Sequence, residues 1–536
     1  MGDAGYWTGA VHRLFHLALG SSRHRMKPSR FHHLAAVSLL TLVAFAVRAV
    51  SLDVQPLWRD EVDALRFATV PWPKMLASFT RPGWNGPFYY VLLRGWVALA
   101  GASEYGLRFF SLSFGALCVP LAYVLGRRLF DRSTGLLVAL LMATSPYLTW
   151  YSQEVKMYTL VPALALLAIY GLRRAIEGSK WHWWAALVAA TSLACYSHIL
   201  AALLIPVQIL LYFAWWPQAR KRWAGALASL VSLTLPYLPL LAWQAPLLLQ
   251  ERETGFLPYT LSEMVETLLN GWSLGMLGWG WSWGVVLMGA LAVWGLFFGG
   301  KIRNRFALAC WLAVPLLAMW LISLRQPLFT DRYLAWAAPA FYLLISLGLV
   351  SLMRMGGWGR WMTVALVGII IVLNGVNLWR QAATPIKSNF RAAAAYIADY
   401  RVPNEPGVHR PSGETGGFTC YLPLVMSNCC GFNELVIFQI PYAKYTFDYY
   451  FPEDEYPWAE GLYTNHRSAD GSYLIGEREV ADGMQEMTAG RDVVWLVATE
   501  TAMWDERGLV QAWLETNWER ADEAHFMRVD VYRYVR

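Results

Sequence analysis

Charge is what this chain has least of. Only 15% of its 536 residues are Asp, Glu, Lys or Arg, where a soluble globular chain carries about 25%. With 57% hydrophobic residues and a mean hydropathy of +0.34, that deficit excludes an ordinary soluble domain and marks a polytopic membrane protein. Cysteine is scarce too. Cys118, Cys195 and Cys310 lie in apolar runs and read as buried thiols. Cys420 has Cys429 and Cys430 as alternative disulfide partners if the C-terminal part lies outside the cytoplasm. No metal-ligand spacing, Walker-type glycine-rich loop or Gly-x-Gly-x-x-Gly fingerprint occurs. The basic segment 1–33 has no clean apolar core before a small-residue cleavage site, so it reads as a cytoplasmic tail rather than a signal peptide.

What is present is a series of apolar runs, near 34–52, 107–126, 134–150, 157–172, 183–198, 199–216, 224–243, 284–298, 306–323, 333–352 and 361–378. They predict about 11 transmembrane helices. Basic clusters punctuate alternate gaps: Arg127, Arg128 and Arg132; Arg173, Arg174 and Lys180; Arg220, Lys221 and Arg222; Lys301, Arg303 and Arg305; Arg354 and Arg360. Putting these gaps in the cytoplasm satisfies the positive-inside rule. The charge balance agrees. Up to Leu378 there are 30 Lys+Arg against 14 Asp+Glu, and from Trp379 onward 14 against 23. The positive excess belongs to the membrane part and reports topology rather than nucleic-acid binding.

The segment 87–101 is apolar but short and carries Arg94 at its middle. A charge there disfavours crossing, so it reads as a helix lying at the outer interface. Residues 53–106 then form one long extracytoplasmic loop, which holds Asp60, Glu61 and Asp63. "YSQEVKMY" (Tyr151–Tyr158), the His198 turn and "RQPLFTDRY" (Arg325–Tyr333) face the same way. Residues 379–536 alternate helical stretches with strand-like ones such as "ELVIFQI", "DVVWLVAT" and "VDVYRYVR", predicting a small extracytoplasmic α/β domain. The polar groups gathered on this side suit a particular chemistry. A carboxylate can deprotonate an acceptor hydroxyl, and cationic side chains can clamp a phosphate.

"WRDE" after the first run, "NGPFYYVLLRGWVALAGASEYGLRFFS", "SPYLTWYSQEVKMYTL" and "FTDRYLAWAAPAF" occur in the order and spacing of a known group. The chain thereby resembles the bacterial polyprenyl-phosphate-dependent glycosyltransferases of the C-type membrane fold, which include protein O-mannosyltransferases and the lipid A aminoarabinose transferase. The resemblance implies inverting transfer of a sugar from a polyprenyl-monophosphate donor to a hydroxyl acceptor at the extracytoplasmic face of the inner membrane. It implies Asp60 as general base and Glu61 as an orienting carboxylate. Arg108, Gln153, Glu154, Lys156, Tyr158, Arg332 and Tyr333 would meet the donor. Asn85-Gly86-Pro87 stands where relatives carry His-Pro-Pro or Lys-Pro-Pro, and Arg81 is the nearby cation able to replace the missing one. A divalent cation is allowed by the carboxylates without a ligand set to require it.

Plainer readings apply to the same residues. Asp60 and Glu61 as a lone pair would be solvated surface, Arg108 a headgroup anchor, and Gln153 and Glu154 caps of the following helix. Arg332 would pair with Asp331, and His198 would be a turn residue. The rival functions are a transporter or flippase and a non-catalytic binding protein for lipid-linked sugars. Transporters place ionisable groups near the bilayer midplane, whereas here they collect at the ends of the runs.

Overall fold

The computed structural model describes residues 28–79, 85–178, 180–238, 258–278, 282–401, 433–451, 456–468 and 470–536. Cys420, Cys429 and Cys430 lie outside them. The apolar runs fold as helices packed into one bundle. Among the described residues, five are by themselves long and apolar enough to cross a membrane: His32–Ala49, Glu104–Leu129, Ile302–Ser323, Asp331–Met353 and Gly357–Ala383. Ile199–Ala214 and Trp216–Thr234 pass the same test of length and apolarity only together, as a pair bent by 86°. The remaining runs are shorter helices, among them Arg132–Thr144, Trp181–Cys195 and Trp283–Phe298. Burial ranks the long ones. Asp331–Met353 has 89% of its apolar window inside the protein, against 22% for Gly357–Ala383 and 17% for His32–Ala49. The last two expose Leu39, Leu42, Trp358, Trp361 and Val364, apolar surface that lipid covers in a membrane protein.

The run 134–150 breaks where sequence dictates. Ser145 accepts from the Leu148 N–H as an N-cap and Pro146 follows at the first helical position, so Pro146–Ser152 starts as a separate helix. The carbonyls left over at the end of Arg132–Thr144 need donors. Arg48, wholly buried in the first helix, donates to Met142 O at 2.9 Å and Ala143 O at 3.0 Å, and to Ser152 Oγ at 3.0 Å. An intramembrane guanidinium here satisfies backbone rather than a carboxylate.

Phe88–Ala100 is a 13-residue helix, about 20 Å long at 1.5 Å per residue and short for a hydrocarbon core of about 30 Å. Arg94 on it donates to Ala68 O at 3.0 Å and Val70 O at 2.6 Å, so its charge caps the end of the neighbouring helix Arg59–Thr69.

The C-terminal residues build a five-stranded mixed sheet: β1 (Glu434–Phe438), β2 (Trp458–Glu460), β3 (Val493–Ala498), β4 (Glu519–Phe526) and β5 (Val529–Val535), in the order β2-β1-β3-β5-β4. β1 is parallel to β2 and β3, and β5 is antiparallel to β3 and β4. Helix Phe390–Arg401 packs on one face, against Val436, Phe438, Trp495 and Val531. Helices Glu477–Met487 and Leu509–Asn517 cover the other, against Leu435, Ile437, Val494 and Leu496. β1 and β3 are therefore buried on both sides, which is why they read as continuous apolar runs.

Candidate active site

The three acidic residues after the first helix sit on helix Arg59–Thr69. Asp60 and Glu61 occupy its first turn, where carboxylates oppose the positive helix end. The Trp58 N–H donates back to Glu61 Oε2 at 3.4 Å. Val62, Ala64 and Ala68 bury the inner face, and Arg94 caps the far end. This helix is fixed at both ends and along one side, and so is the position of Asp60.

Glu61 is completely buried and ties three other segments to its own helix. Its Oε1 accepts from Arg108 Nε at 2.8 Å and the Val155 N–H at 3.1 Å. Its Oε2 accepts from Arg108 Nη2 and Lys387 Nζ, both at 2.8 Å. Burial pushes its carboxyl up, but Arg108 and Lys387 overcome this and hold it down at about 2. Arg108 gives its other donors to the carbonyls of Leu52, Gln55 and Pro56. With all five N–H groups engaged and the side chain 1% exposed, Arg108 has nothing left to offer a phosphate. This departs from both readings made above, because a guanidinium's partners are chosen by tertiary packing.

Asp60 is half-buried and pairs with Arg332, Nη1 to Oδ2 at 2.9 Å. Burial raises its carboxyl, and Lys156, Arg332 and Arg59 outweigh that and bring it below the ordinary carboxylate value. Arg332 lies 5.5 Å from the Trp58 ring, 5.6 Å from Tyr158 and 5.9 Å from Tyr333, and its Nε has no hydrogen-bond partner among the described residues. Asp331 does not pair with it. That carboxylate accepts from Tyr151 Oη at 2.8 Å, and its main-chain oxygen from Tyr147 Oη at 2.9 Å. The Lys156 ammonium makes no hydrogen bond or ion pair among the described residues, yet it lies close enough to Asp60, Asp63 and Tyr90 for their charges to raise its pKa against the opposing effect of burial.

The other expected residues divide. Tyr158 and Tyr333 line the space around Arg332. Gln153 is structural in place: its amide donates to Arg48 O at 2.9 Å. Glu154 is buried, and its Oε2 has no hydrogen-bond partner among the described residues. Desolvation raises its carboxyl to about 7 against the pull of Lys387. Asn85 Oδ1 accepts from the Ile199 N–H at 3.2 Å. Beside it, a Cβ on Gly86 would stand 2.3 Å from Tyr196 O, so only glycine lets this strand approach the Tyr196–Ile199 turn. Arg81 lies outside the described residues. Among the described residues no group of three His, Cys, Asp or Glu side chains converges on one point.

Sequence reasoning missed two contributors and set a third, His198, aside as a turn residue. His198 is buried with its ring 4.8 Å from Tyr333 and 6.3 Å from Tyr158. Lys387 and Gln55 are the other two. Gln55 accepts from the Ile386 N–H at 3.1 Å and donates to Thr384 O at 2.8 Å, which seats Lys387 on Glu61. The C-terminal sheet unit also docks on this end. Tyr442 stacks under Arg59 and Tyr445 under Arg66, each 3.3 Å from ring centroid to guanidinium carbon. Tyr450 Oη accepts from the Leu57 N–H at 2.5 Å.

Residues 82–243 match the family model of dolichyl-phosphate-mannose-protein mannosyltransferases. No curated protein matches the chain by sequence. ArnT from Cupriavidus metallidurans, solved bound to undecaprenyl phosphate, is 13% identical with a TM-score of 0.54, covering 93% of this chain and 97% of its own. The archaeal oligosaccharyltransferase AglB from Archaeoglobus fulgidus, solved with an inhibitory peptide and a dolichol-phosphate, is 12% identical with a TM-score of 0.52, covering 91% and 72%. Over residues 82–243 the chain is thus similar to that mannosyltransferase family, and over nearly its whole length it shares the membrane fold of ArnT and AglB.

Proposed function

We infer that the chain transfers a sugar, with inversion, from a polyprenyl-monophosphate donor to a hydroxyl acceptor at the extracytoplasmic face of the membrane. The observation that carries this reading is the Asp60–Arg332 pair beside Lys156, in a space walled by Trp58, Tyr158 and Tyr333. It unites a carboxylate, two cations and aromatic faces at one helix-bundle end. ArnT and AglB were solved with polyprenyl phosphates bound, which supports the same class of donor here.

In this reading the eleven apolar runs cross the membrane, the basic clusters face the cytoplasm, and residues 379–536 lie outside as a domain clasping the site. Asp60 stays ionised at pH 7 because Lys156 and Arg332 hold it down. It takes the proton of the acceptor hydroxyl as that oxygen attacks the anomeric carbon from the side opposite the phosphate. The bond from the anomeric carbon to the phosphate oxygen breaks, and its electron pair leaves on polyprenyl phosphate. Arg332, through its unpartnered Nε, and Lys156 meet the charge that develops there. A phosphate monoester with a second pKa of about 6 leaves without a general acid. Glu61 and Arg108 act by holding the helix that carries Asp60.

The test is to incubate purified protein with a panel of polyprenyl-phosphate sugars and envelope acceptor extract, following free polyprenyl phosphate by mass spectrometry. Wild type releases it from at least one donor, and Asp60→Asn slows release by at least about a hundredfold while still binding that donor. Release at the wild-type rate by Asp60→Asn removes Asp60 as the base. Donors that stay intact with every acceptor fraction, yet bind, favour a binding or transport role.

A further inference from the structure

The end of the bundle opposite Asp60 holds a cavity of about 380 Å³. Helices Glu104–Leu129, Leu160–Glu177, Trp283–Phe298 and Ala338–Met353 all end beside it. Its wall includes Arg128, Arg173, Lys301, Arg303 and Arg354, with Asp131 as the single acidic lining residue. Three of these cations are already paired. Arg128 and Arg173 share Glu177, and Arg354 meets Asp131 at 2.7 Å. Lys301 and Arg303 are exposed and have no ion-pair partner among the described residues.

Local backbone reinforces the cationic character. Lys301 is the N-cap of helix Ile302–Ser323 with no side-chain cap, and the first turn carries no acidic residue, so its positive end is unopposed. Gly300 makes the turn possible: it sits at φ +59°, and a Cβ there would meet the Phe130 ring at 2.8 Å. Phe297, Phe298, Ile302 and Phe306 lie within four residues of Lys301 or Arg303 in the chain and are each more than half exposed.

We propose that this cavity binds the phosphate headgroup of an anionic phospholipid, with Lys301 and Arg303 as the recognising cations. A soluble phosphate would use the cations and leave the four apolar side chains idle. A lipid uses both, its phosphate in the basic cavity and its acyl chains along the exposed phenylalanines. The proposal stands apart from the transfer site and does not depend on its chemistry.

The test is native mass spectrometry of the full chain released from mixed micelles of phosphatidylglycerol and phosphatidylcholine. Wild type retains one phosphatidylglycerol in preference to phosphatidylcholine. The double variant Lys301→Gln/Arg303→Gln loses about thirtyfold of that preference, the factor expected when two cations each contribute about 1 kcal/mol. Lys301→Arg/Arg303→Lys restores it, which separates charge from misfolding. Equal retention of the two lipids by wild type, or a preference that survives neutralisation, overturns the proposal. Displacement of the lipid by millimolar inorganic phosphate, with the same dependence on Lys301 and Arg303, overturns the lipid as occupant and assigns the cavity to free phosphate.

Discussion

The two ends of this helix bundle use arginine in opposite ways. At the end that carries Asp60, Arg108 is 1% exposed, bridges Glu61 and gives every N–H to a partner within the protein. At the other end, Arg354 pairs with Asp131 while its side chain remains 60% exposed. The first arrangement cannot be left half made, because an unpaired buried charge is expensive. The second is screened by solvent and adds little. A count of cations at each end would miss this; burial and the number of donors engaged decide which ones are structural and which are available. By that criterion the proposed transfer would use Lys156 and Arg332 as its working cations, while Arg108 and Lys387 hold the helix that carries Asp60.

The comparison breaks most visibly at Glu61. Glu61→Ala leaves Arg108 and Lys387 buried without their carboxylate and is expected to lower stability by about 3–5 kcal/mol, read as a fall in the thermal midpoint of detergent-solubilised protein. Gly86→Ala comes next, at about 1–3 kcal/mol, since its Cβ would press on Tyr196 O; an unchanged midpoint would show that the turn yields freely. Arg354→Ala at the opposite end should cost less than about 1 kcal/mol. A larger loss there would erase the distinction between the two ends.

pH sharpens the same contrast. Glu61 lies at about 2 in the folded chain against an ordinary 4.5, so its stabilisation is complete above pH 4.5 and is lost as pH falls towards 2. Glu154 runs the other way. Raised to about 7 from 4.5, it favours the folded state when protonated, a contribution present below pH 4.5 and lost as pH rises through 7. Thermal midpoints of wild type and Glu154→Gln should therefore diverge between pH 4.5 and 7, with the decline on the alkaline side absent from the variant. Parallel profiles would mean that Glu154 titrates normally.

Much of this was legible in the sequence for physical reasons. β1 and β3 are apolar strings, β5 carries mostly β-branched and aromatic residues, and all three fold as strands. β4 was not foreseen. "ERADEAHF" is polar because it forms a sheet edge, where charge deters further pairing, and its composition resembles a helix end. The ordered motifs predicted that Asp60, Lys156, Tyr158, Arg332 and Tyr333 share a function, and their side chains do meet or neighbour one another. Lys387 carried no signal, being a lone lysine beyond the last apolar run whose partner lies 326 residues away. Asn85 shows the converse. Its departure from the basic residue of relatives goes with a hydrogen bond to the Ile199 turn and a glycine contact beside it, features invisible until the two turns are side by side.

The most direct test of the division between working and structural cations is donor affinity in Lys156→Gln, measured with polyprenyl phosphate alongside the thermal midpoint. Loss of a charged contact to phosphate, worth about 1.5–3 kcal/mol, predicts binding weakened by about ten- to a hundredfold with the midpoint unchanged. Undiminished binding in that variant would contradict the assignment of Lys156 to the donor phosphate and return Arg108 to consideration.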